Sequence, residues 1–366
     1  MPTATLINAL QSCGARLADP KAGAASRRGG AGPSDHKAIT IDGMTVMVPV
    51  HTAPAFESPY LIEPPDALGR ARLSRDGLAL GEVSFPARPR FYARSTADGI
   101  PYSQIAVLHG RDVLATTVLQ TCIRYQSRTR TCQFCAIGQS LAAGRTIARK
   151  TPAQLAEVAR AAVELDGVRH MVMTTGTPPG RDRGAAILAE SAAAVKHAVD
   201  LPIQAQCEPP DDDAWFARMR AAGVDALGLH LEAVTPSVRA RIMPGKAQVP
   251  LERYFDAFAA AVPVFGRGQV STYILAGLGD TAEAILQVSR RLIGLGVYPF
   301  VVPFVPISGT PLESHPGPSP AFMHAILAPL ARMLVEAGLA ATKVKAGCAR
   351  CGACSALATY ERSVPA

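Results

Sequence analysis

From residue 112 onward, short apolar runs alternate with longer stretches of helical periodicity. The first run, DVLATTVL (112–119), is followed after a loop by a helical stretch over 151–167 that begins at Thr-Pro. Further strand-type runs at 168–177, 201–208, 224–232, 268–277 and 297–305 alternate with helical stretches at 184–199, 212–222, 250–262, 281–294 and 320–338. This alternation predicts an α/β fold with a parallel sheet and crossover helices. Nearly every strand-type run ends in polar or Gly-rich residues, which favours a partial or complete (β/α) barrel over an open sheet.

The residues before this alternation predict a different organisation. Residues 1–36 form an N-terminal segment, and the Gly-, Ala-, Ser- and Arg-rich part at 20–36 is typical of a flexible linker. Residues 37–110 form a β-rich extension, with hairpin turns predicted at residues 42–43 and 76–77 and a third hairpin leading into the first barrel strand. We assign the barrel to residues 111–340 and a Cys-rich segment to 341–366, which begins with a predicted short strand, ATKVKAG.

Composition excludes several classes of protein. The chain has 366 residues, 48% of them hydrophobic, which is enough to fill a sizeable core. Eight cysteines are too few for a secreted disulfide scaffold, and the N-terminus lacks a basic start with an apolar core, so we expect a cytoplasmic protein. No apolar run approaches the ~20 residues that cross a bilayer, so no membrane partner is expected. The net charge of +8 is scattered and aromatic residues make up only 5%, which argues against a nucleic-acid partner.

Three cysteines follow the first predicted barrel strand directly. Cys122, Cys132 and Cys135 lie in the loop TCIRYQSRTRTCQFCAIG (121–138), where a barrel collects its chemistry. Three thiolates on one loop can ligate three irons of a 4Fe–4S cluster and leave the fourth iron open for another ligand. A zinc site, which would need a fourth protein ligand, and a loop with unpaired cysteines are the alternatives.

A second group of cysteines lies near the C-terminus. In CARCGAC, Cys348, Cys351 and Cys354 have the two-residue spacing with which ferredoxin-like loops wrap a 4Fe–4S cluster. This spacing predicts a second, auxiliary iron–sulfur cluster near the first, with substrate, Cys13 or Cys207 as candidate ligands of its fourth iron. A zinc site and a disordered reduced tail are the alternatives.

The first cysteine loop resembles the signature of the radical S-adenosylmethionine (SAM) superfamily, whose three cysteines bind a 4Fe–4S cluster after the first barrel strand. CQFC keeps the second half of that signature, with Phe134 just before the third cysteine, whereas the first interval has nine residues instead of three. These extra residues are interpreted equally well as a substrate contact or as a solvated basic loop.

The resemblance implies further SAM-binding residues at later strand ends. MTTGT (173–177) matches by position a turn whose backbone binds the SAM amino group; its acidic residue is missing here, so only the backbone role carries over, to Gly176 and Thr177. Strand periodicity places His230 and Glu232 on one face, and Glu232 matches an acidic residue that binds the SAM ribose in biotin-synthase-like enzymes. The other residues implied are Arg241 or Lys246 for the SAM carboxylate, and Ile274 and Gly277 for the adenine.

The third barrel strand carries candidate substrate residues. In PIQAQCE (202–208), alternation places Gln204, Gln206 and Glu208 on one face, which we predict points inward near the substrate, with Cys207 packed outward. At the sixth strand end, PFVPISGTPLE (303–313) also resembles the biotin-synthase-like group. The resemblance as a whole covers about residues 112–340.

The resemblance implies an enzyme that reductively cleaves SAM to a 5′-deoxyadenosyl radical, with a reductant such as flavodoxin or ferredoxin and a small-molecule substrate. The stretch at 96–125 and the long cysteine interval resemble radical SAM proteins found beside a nitrilase in bacterial clusters linked to nitrile or cyanide metabolism, which implies a nitrogen-containing substrate. Two alternatives remain: an iron–sulfur carrier or electron-transfer protein that does not cleave SAM, and an RNA-modifying radical SAM enzyme.

Overall fold

The computed structural model describes residues 3–19, 36–125, 127 and 129–365. Within these ranges the strands form two β-sheets, one from the N-terminal extension and one from the barrel region. The flexible linker predicted at 20–36 lies outside the described residues except for His36, which begins a strand.

The N-terminal sheet is built mainly from antiparallel hairpins. Its strands are β1 Arg16–Leu17, β2 His36–Ile41, β3 Met44–Pro49, β4 Tyr60–Ile62, β5 Arg70–Arg75 and β6 Leu78–Ser84, in the order β1-β4-β5-β6-β2-β3. Both predicted hairpins are confirmed, between β2 and β3 and between β5 and β6. At each turn the Asp and the Gly have positive φ, which a two-residue type I′ turn requires.

The barrel sheet has its strands in sequential order. They are β7 Val107–His109, β8 Val113–Thr117, β9 His170–Thr174, β10 Ile203–Cys207, β11 Ala226–Leu229, β12 Val270–Ala276 and β13 Tyr298–Pro303. Strand β7 pairs antiparallel with β8, as the third predicted hairpin requires, and β8 to β13 are all parallel. The order never reverses and, in the described chain, β13 pairs only with β12, so the sheet is a partial (β/α) barrel and not a doubly wound open sheet.

Thirteen helices are present in the described chain. They are α1 Thr3–Cys13, α2 Ala53–Phe56, α3 Tyr102–Ile105, α4 Ile137–Ala142, α5 Pro152–Asp166, α6 Ala185–Ala198, α7 Ala214–Ala221, α8 Pro236–Ile242, α9 Leu251–Phe265, α10 Ala282–Leu295, α11 Pro320–Glu336, α12 Cys348–Cys351 and α13 Leu357–Arg362. The six predicted helices correspond to α5, α6, α7, α9, α10 and α11, each of which contacts the next. Thr151 and Gln154 form a capping box at the start of α5, and the left-handed Gly167 ends it. Among the described helices, none combines the length and apolar character needed to cross a bilayer.

Two features at the chain ends differ from the sequence prediction. Helix α1 was not predicted, and it packs against β3 and α11. The strand predicted at 341–347 is wrong, because this segment forms a 3-10 turn, Ala341–Lys343, instead. The Gln269 side chain bonds the Lys343 carbonyl at 3.0 Å and the Lys345 amide at 2.9 Å, so a side chain takes the place of a neighbouring strand.

Candidate functional site

The three cysteines that follow β8 line one cavity of about 300 Å³, here called the first cavity. It lies at the carboxyl ends of the parallel strands, which the order of the sheet brings to one edge. Residues at or just after strand ends that line it are Thr117, Thr174, Cys207, Glu208, His230 and Glu232. The predicted position of the site at this edge therefore agrees with the structure.

The donor chemistry of the first cavity fits an iron–sulfur cluster. Burial raises the pKa of Cys135 to about 12 and also raises that of Cys132, so these thiols stay protonated unless a bound cation compensates a thiolate. Among the described residues, no three His, Cys, Asp or Glu side chains converge where a single metal ion could bind. A cluster binds each cysteine through a different iron, so the three thiols of the loop can serve as its ligands.

The long interval between Cys122 and Cys132 is anchored by a buried ion pair. Arg124 donates from Nε and Nη2 to the two Glu208 carboxylate oxygens, at 2.6 Å each, and Thr177 Oγ1 donates to Glu208 at 2.9 Å. Burial alone would raise the pKa of Glu208, but the Arg124 hydrogen bond and the nearby positive charges lower it. Glu208 thus lines the cavity, as its inward prediction requires, and its carboxylate holds the cysteine loop.

Gly176 brings the end of β9 against this loop. A Cβ built at Gly176 would overlap the Thr121 carbonyl oxygen, so a side chain there would displace the backbone next to the first cysteine. The Gly176 amide donates to the Leu119 carbonyl at 2.8 Å, and the Thr177 carbonyl accepts from the Ile123 amide at 3.0 Å. Both residues line the first cavity, and their backbone role toward the SAM amino group stays a prediction.

Glu232 and His230 lie on the cavity wall just after β11. Glu232 has φ of 65°, an uncommon left-handed conformation for this residue type, and its carboxylate lies 3.1 Å from Lys246 Nζ. His230 Nδ1 accepts from the Tyr273 amide at 3.2 Å, and burial lowers the His230 pKa to about 4. Neutral His230 and ionic Glu232–Lys246 are therefore the polar groups facing the cysteines from this side.

Three residues predicted to bind SAM lie outside the cavity linings. Arg241 donates to the Leu278 carbonyl at 2.9 Å. Ile274 is fully buried. The residues before and after it lie on the other face of β12, and they line a cavity. Gly277 has φ of 108° and packs under the Pro318 ring. Their roles toward SAM stay predictions.

A second cavity, of about 290 Å³, adjoins the first. Cys348 and Cys354 line it, together with Gln11 and His36 of the N-terminal segment and Met47 of the extension. Both cavities share a wall formed by Phe134, Thr174, Gln206, His230, Glu232 and Ile307. The two cysteine groups therefore face adjoining spaces, and the predicted aromatic residue of the signature lies between them.

The remaining residues predicted from the sequence lie in different parts of the structure. Gln206 lines both cavities, whereas Gln204 is fully buried and donates to Ser271 Oγ at 3.0 Å. Cys207 belongs to the hydrophobic core, as expected, and also borders the first cavity. Cys13 lines a separate small crevice. Neither of these two cysteines lies with the C-terminal group.

Several site residues were missed by sequence reasoning. Alternation along β12 could have identified Tyr273 and Leu275, which line the second cavity from one strand face. Arg124 had no local signal beyond its positive charge. Gln11 and His109 line the second cavity, but they come from parts of the chain that carry no motif.

Comparison with known proteins shows similarity to one superfamily over part of the chain. The Radical SAM superfamily profile matches residues 129–292. The chain is 26% identical over 242 residues to the bacteriochlorophyllide c C-7(1)-hydroxylase of Chlorobaculum limnaeum, covering 61% of this chain and 60% of the hydroxylase. It is 31% identical over 140 residues to the probable dual-specificity RNA methyltransferase RlmN of Moorella thermoacetica, covering 38% of each. The chain thus spans less than two thirds of either curated relative.

A solved structure of methylornithine synthase resembles the fold with a TM-score of 0.44 at 18% identity, covering 61% of this chain and 68% of that one. The profile match begins within the first cysteine loop and ends in α10, so it includes Cys132, Cys135 and the end of β11. Residues 129–292 therefore match a radical SAM superfamily domain, and enzymes of that superfamily use a 4Fe–4S cluster and SAM.

Proposed function

We propose that the protein is a radical SAM enzyme in which Cys122, Cys132 and Cys135 hold the 4Fe–4S cluster and the first cavity receives SAM. The observation that carries this proposal is that the three thiols line one cavity together with the Glu232–Lys246 ion pair. When bound, a reduced 4Fe–4S cluster and SAM supply a 5′-deoxyadenosyl radical that removes a hydrogen atom from the substrate.

In this scheme, residues of the chain bind and orient SAM and the cluster. Lys246 holds the Glu232 carboxylate at the cavity wall, where it can accept hydrogen bonds from the ribose hydroxyls. Phe134 lines both cavities and separates the cysteine side of the first cavity from the second. The Arg124–Glu208 pair fixes the loop that carries the first cysteine. No proton transfer is required of these groups.

We infer that the second cavity takes a small, neutral or cationic substrate. Its lining is mainly apolar, and among the described lining residues Glu232 is the one carboxylate and there is no Lys or Arg. The uncharged hydrogen-bonding groups Gln11, Gln206 and Tyr273 suit an amide, nitrile or amine, in keeping with the nitrogen-containing substrate that the resemblance implies. Flavodoxin or ferredoxin as reductant, and a cytoplasmic location, stay predictions.

The decisive experiment is SAM cleavage. The protein, reconstituted anaerobically with iron and sulfide, should release 5′-deoxyadenosine and methionine when dithionite and SAM are added. Cys132→Ser should abolish the product, whereas Cys13→Ser, a matched change at a cysteine outside both cavities, should leave it unchanged. A fully iron-loaded protein that forms no 5′-deoxyadenosine would support the iron–sulfur carrier instead.

An RNA substrate is the second candidate, because part of the chain is similar to a protein named as an RNA methyltransferase. The absence of Lys and Arg from the described lining of the second cavity disfavours it, since RNA binding relies on cationic contacts to phosphates. Filter binding with transfer and ribosomal RNA should show no retention at 50 mM salt. Tight retention that weakens steeply with added salt would favour the RNA-modifying enzyme.

A further inference from the structure

The C-terminal cysteine segment is held firmly in the fold. Side chains and backbone from β3, β9, β10, β13 and α1 hydrogen-bond it. These bonds join Gly347 N to His170 Nδ1 (3.1 Å), Cys348 N to Gln204 Oε1 (3.2 Å), Ser355 Oγ to Val301 O (2.6 Å), and the Ala353 carbonyl to Gln11 Nε2 (2.9 Å) and Met47 N (2.7 Å). The alternative of a disordered tail is therefore wrong.

The three C-terminal thiols lie on one compact turn. Cys348 and Cys354 line the second cavity. Cys351 lies against the backbone of Gly110, where an added Cβ would be 2.9 Å from its Sγ. The short helix α12 ends at Gly352, whose φ of 66° lets the chain reverse between the second and third cysteines. A turn of this kind presents three sulfurs from seven residues.

Hydrogen-bond donors converge on the two sulfurs that reach the cavity. Gln206 Nε2 donates to Cys348 Sγ at 3.2 Å, and His109 Nε2 lies 3.2 Å from Cys354 Sγ. The Tyr273 side chain lies beside Cys354 and lines the same cavity. A buried cysteine that serves only as a small hydrophobe needs no such donors, because a neutral thiol is a weak acceptor. Donors to sulfur are what a metal-bound thiolate requires.

We propose that the three C-terminal cysteines hold a second iron–sulfur cluster, and that Gln206, His109 and Tyr273 are positioning residues that hydrogen-bond its thiolates. A zinc ion would use the same three thiolates, and the sulfide content distinguishes it from a cluster. Gln206 also lines the first cavity, so it lies between the two cysteine groups. The claim that the substrate lies between two clusters rests on the proposed function. The proposal of a second cluster does not depend on that function.

Iron and sulfide counts test the site directly. After anaerobic reconstitution, the full chain should carry about eight irons, and C348A/C351A/C354A and C122A/C132A/C135A should each carry about four with matching sulfide. The control C13A, which removes a cysteine outside both cavities, should lose none. A C-terminal variant that keeps the parent's iron, or a C-terminal site that takes up zinc without sulfide, overturns the proposal.

Reduction potentials test the positioning residues without removing a cysteine. In the C122A/C132A/C135A background only the second cluster remains, so an EPR-monitored redox titration reports its potential alone. Hydrogen bonds to thiolates stabilise the more negative reduced state, so Tyr273→Phe and Gln206→Met should each lower the potential with iron content unchanged. Tyr60→Phe, on the remote strand β4, should leave it unchanged. Unchanged potentials in the first two variants contradict the assigned hydrogen bonds.

The two proposals fail in different ways. C348A/C351A/C354A that folds, as judged by circular dichroism, should still convert SAM to 5′-deoxyadenosine with dithionite. If that variant misfolds, the potential measurements above still decide the inference, because their variants keep every C-terminal cysteine. If the full chain carries two clusters but never cleaves SAM, the second site stands and the proposed function falls.

Discussion

The buried Arg124–Glu208 pair predicts a large and specific loss of stability in Glu208→Gln. The two side chains are only 11% and 6% exposed, and both carboxylate oxygens accept from the guanidinium at 2.6 Å. Glutamine keeps the size of the side chain and one acceptor oxygen but removes the negative charge. The Arg124 charge would then remain buried without its counter-charge.

The expected magnitude follows from burial. Removing one partner of a buried pair costs about 3–5 kcal/mol, and because glutamine still accepts one hydrogen bond we expect about 3 kcal/mol here. The control is Glu252→Gln, which breaks an exposed pair with Arg291 of similar length, 2.6 Å, at 51% and 69% exposure. Exposed pairs are screened by solvent and contribute little to stability, so this variant should stay close to the parent.

Urea unfolding of the cluster-free protein is the assay, read as the free energy of unfolding from curves of equal slope. The folded pKa of Glu208 lies below its ordinary value of 4.5, so the pair's stabilisation is fully present above pH 4.5. It is lost as the pH falls through the lower folded pKa. The gap between parent and Glu208→Gln should therefore be constant from pH 8 to 6 and shrink only in acid. A gap no larger than that of Glu252→Gln would refute the reasoning.

Three further predictions concern the first cavity. Gly176→Ala should lower the iron bound at the first site, because its Cβ would overlap the cysteine loop. Gly294→Ala has open space around it and should leave the iron unchanged. The measurement is iron bound per chain. Lys246→Met should weaken SAM binding on the order of tenfold by releasing Glu232, and equal Kd values in calorimetry would contradict this. Burial holds the His230 pKa near 4, so the charge of His230 should not change between pH 6 and 8. The SAM cleavage rate should therefore show no inflection from His230 in that range. An inflection near pH 6.5 that is lost in His230→Gln would refute this.

Elements with strong local signals were predictable from the sequence. The periodicity and Thr-Pro start of α5 place it within a residue or two, because capping and an amphipathic face are encoded in adjacent positions. Strand alternation also placed His230 and Glu232 on one face, and both line the first cavity. The left-handed backbone of Glu232 could not be predicted, since no local pattern marks a glutamate for that conformation.

Contacts between distant parts of the chain could not be predicted in this way. Arg124 and Glu208 are 84 residues apart, and nothing near Arg124 distinguishes it from the other arginines of its loop. The segment at 341–347 alternates like a strand, yet side chains bind its backbone instead: Gln269 bonds Lys343 and Lys345, and His170 bonds Gly347. Within the described residues no strand pairs with it. Local pattern gives the elements, and long-range hydrogen bonds decide how the polar groups of those elements are used.

Residues from near both ends of the chain line the second cavity. Gln11 lines that cavity and donates to the carbonyl of Ala353, 342 residues away, and Met47 N donates to the same carbonyl. The turn that presents the C-terminal cysteines is thus held from the N-terminal segment and the extension as well as from the barrel. A barrel without residues 1–110 would lose part of the cavity wall and two of the bonds that hold this turn. Under the proposed function, residues near both chain ends would therefore enclose the substrate.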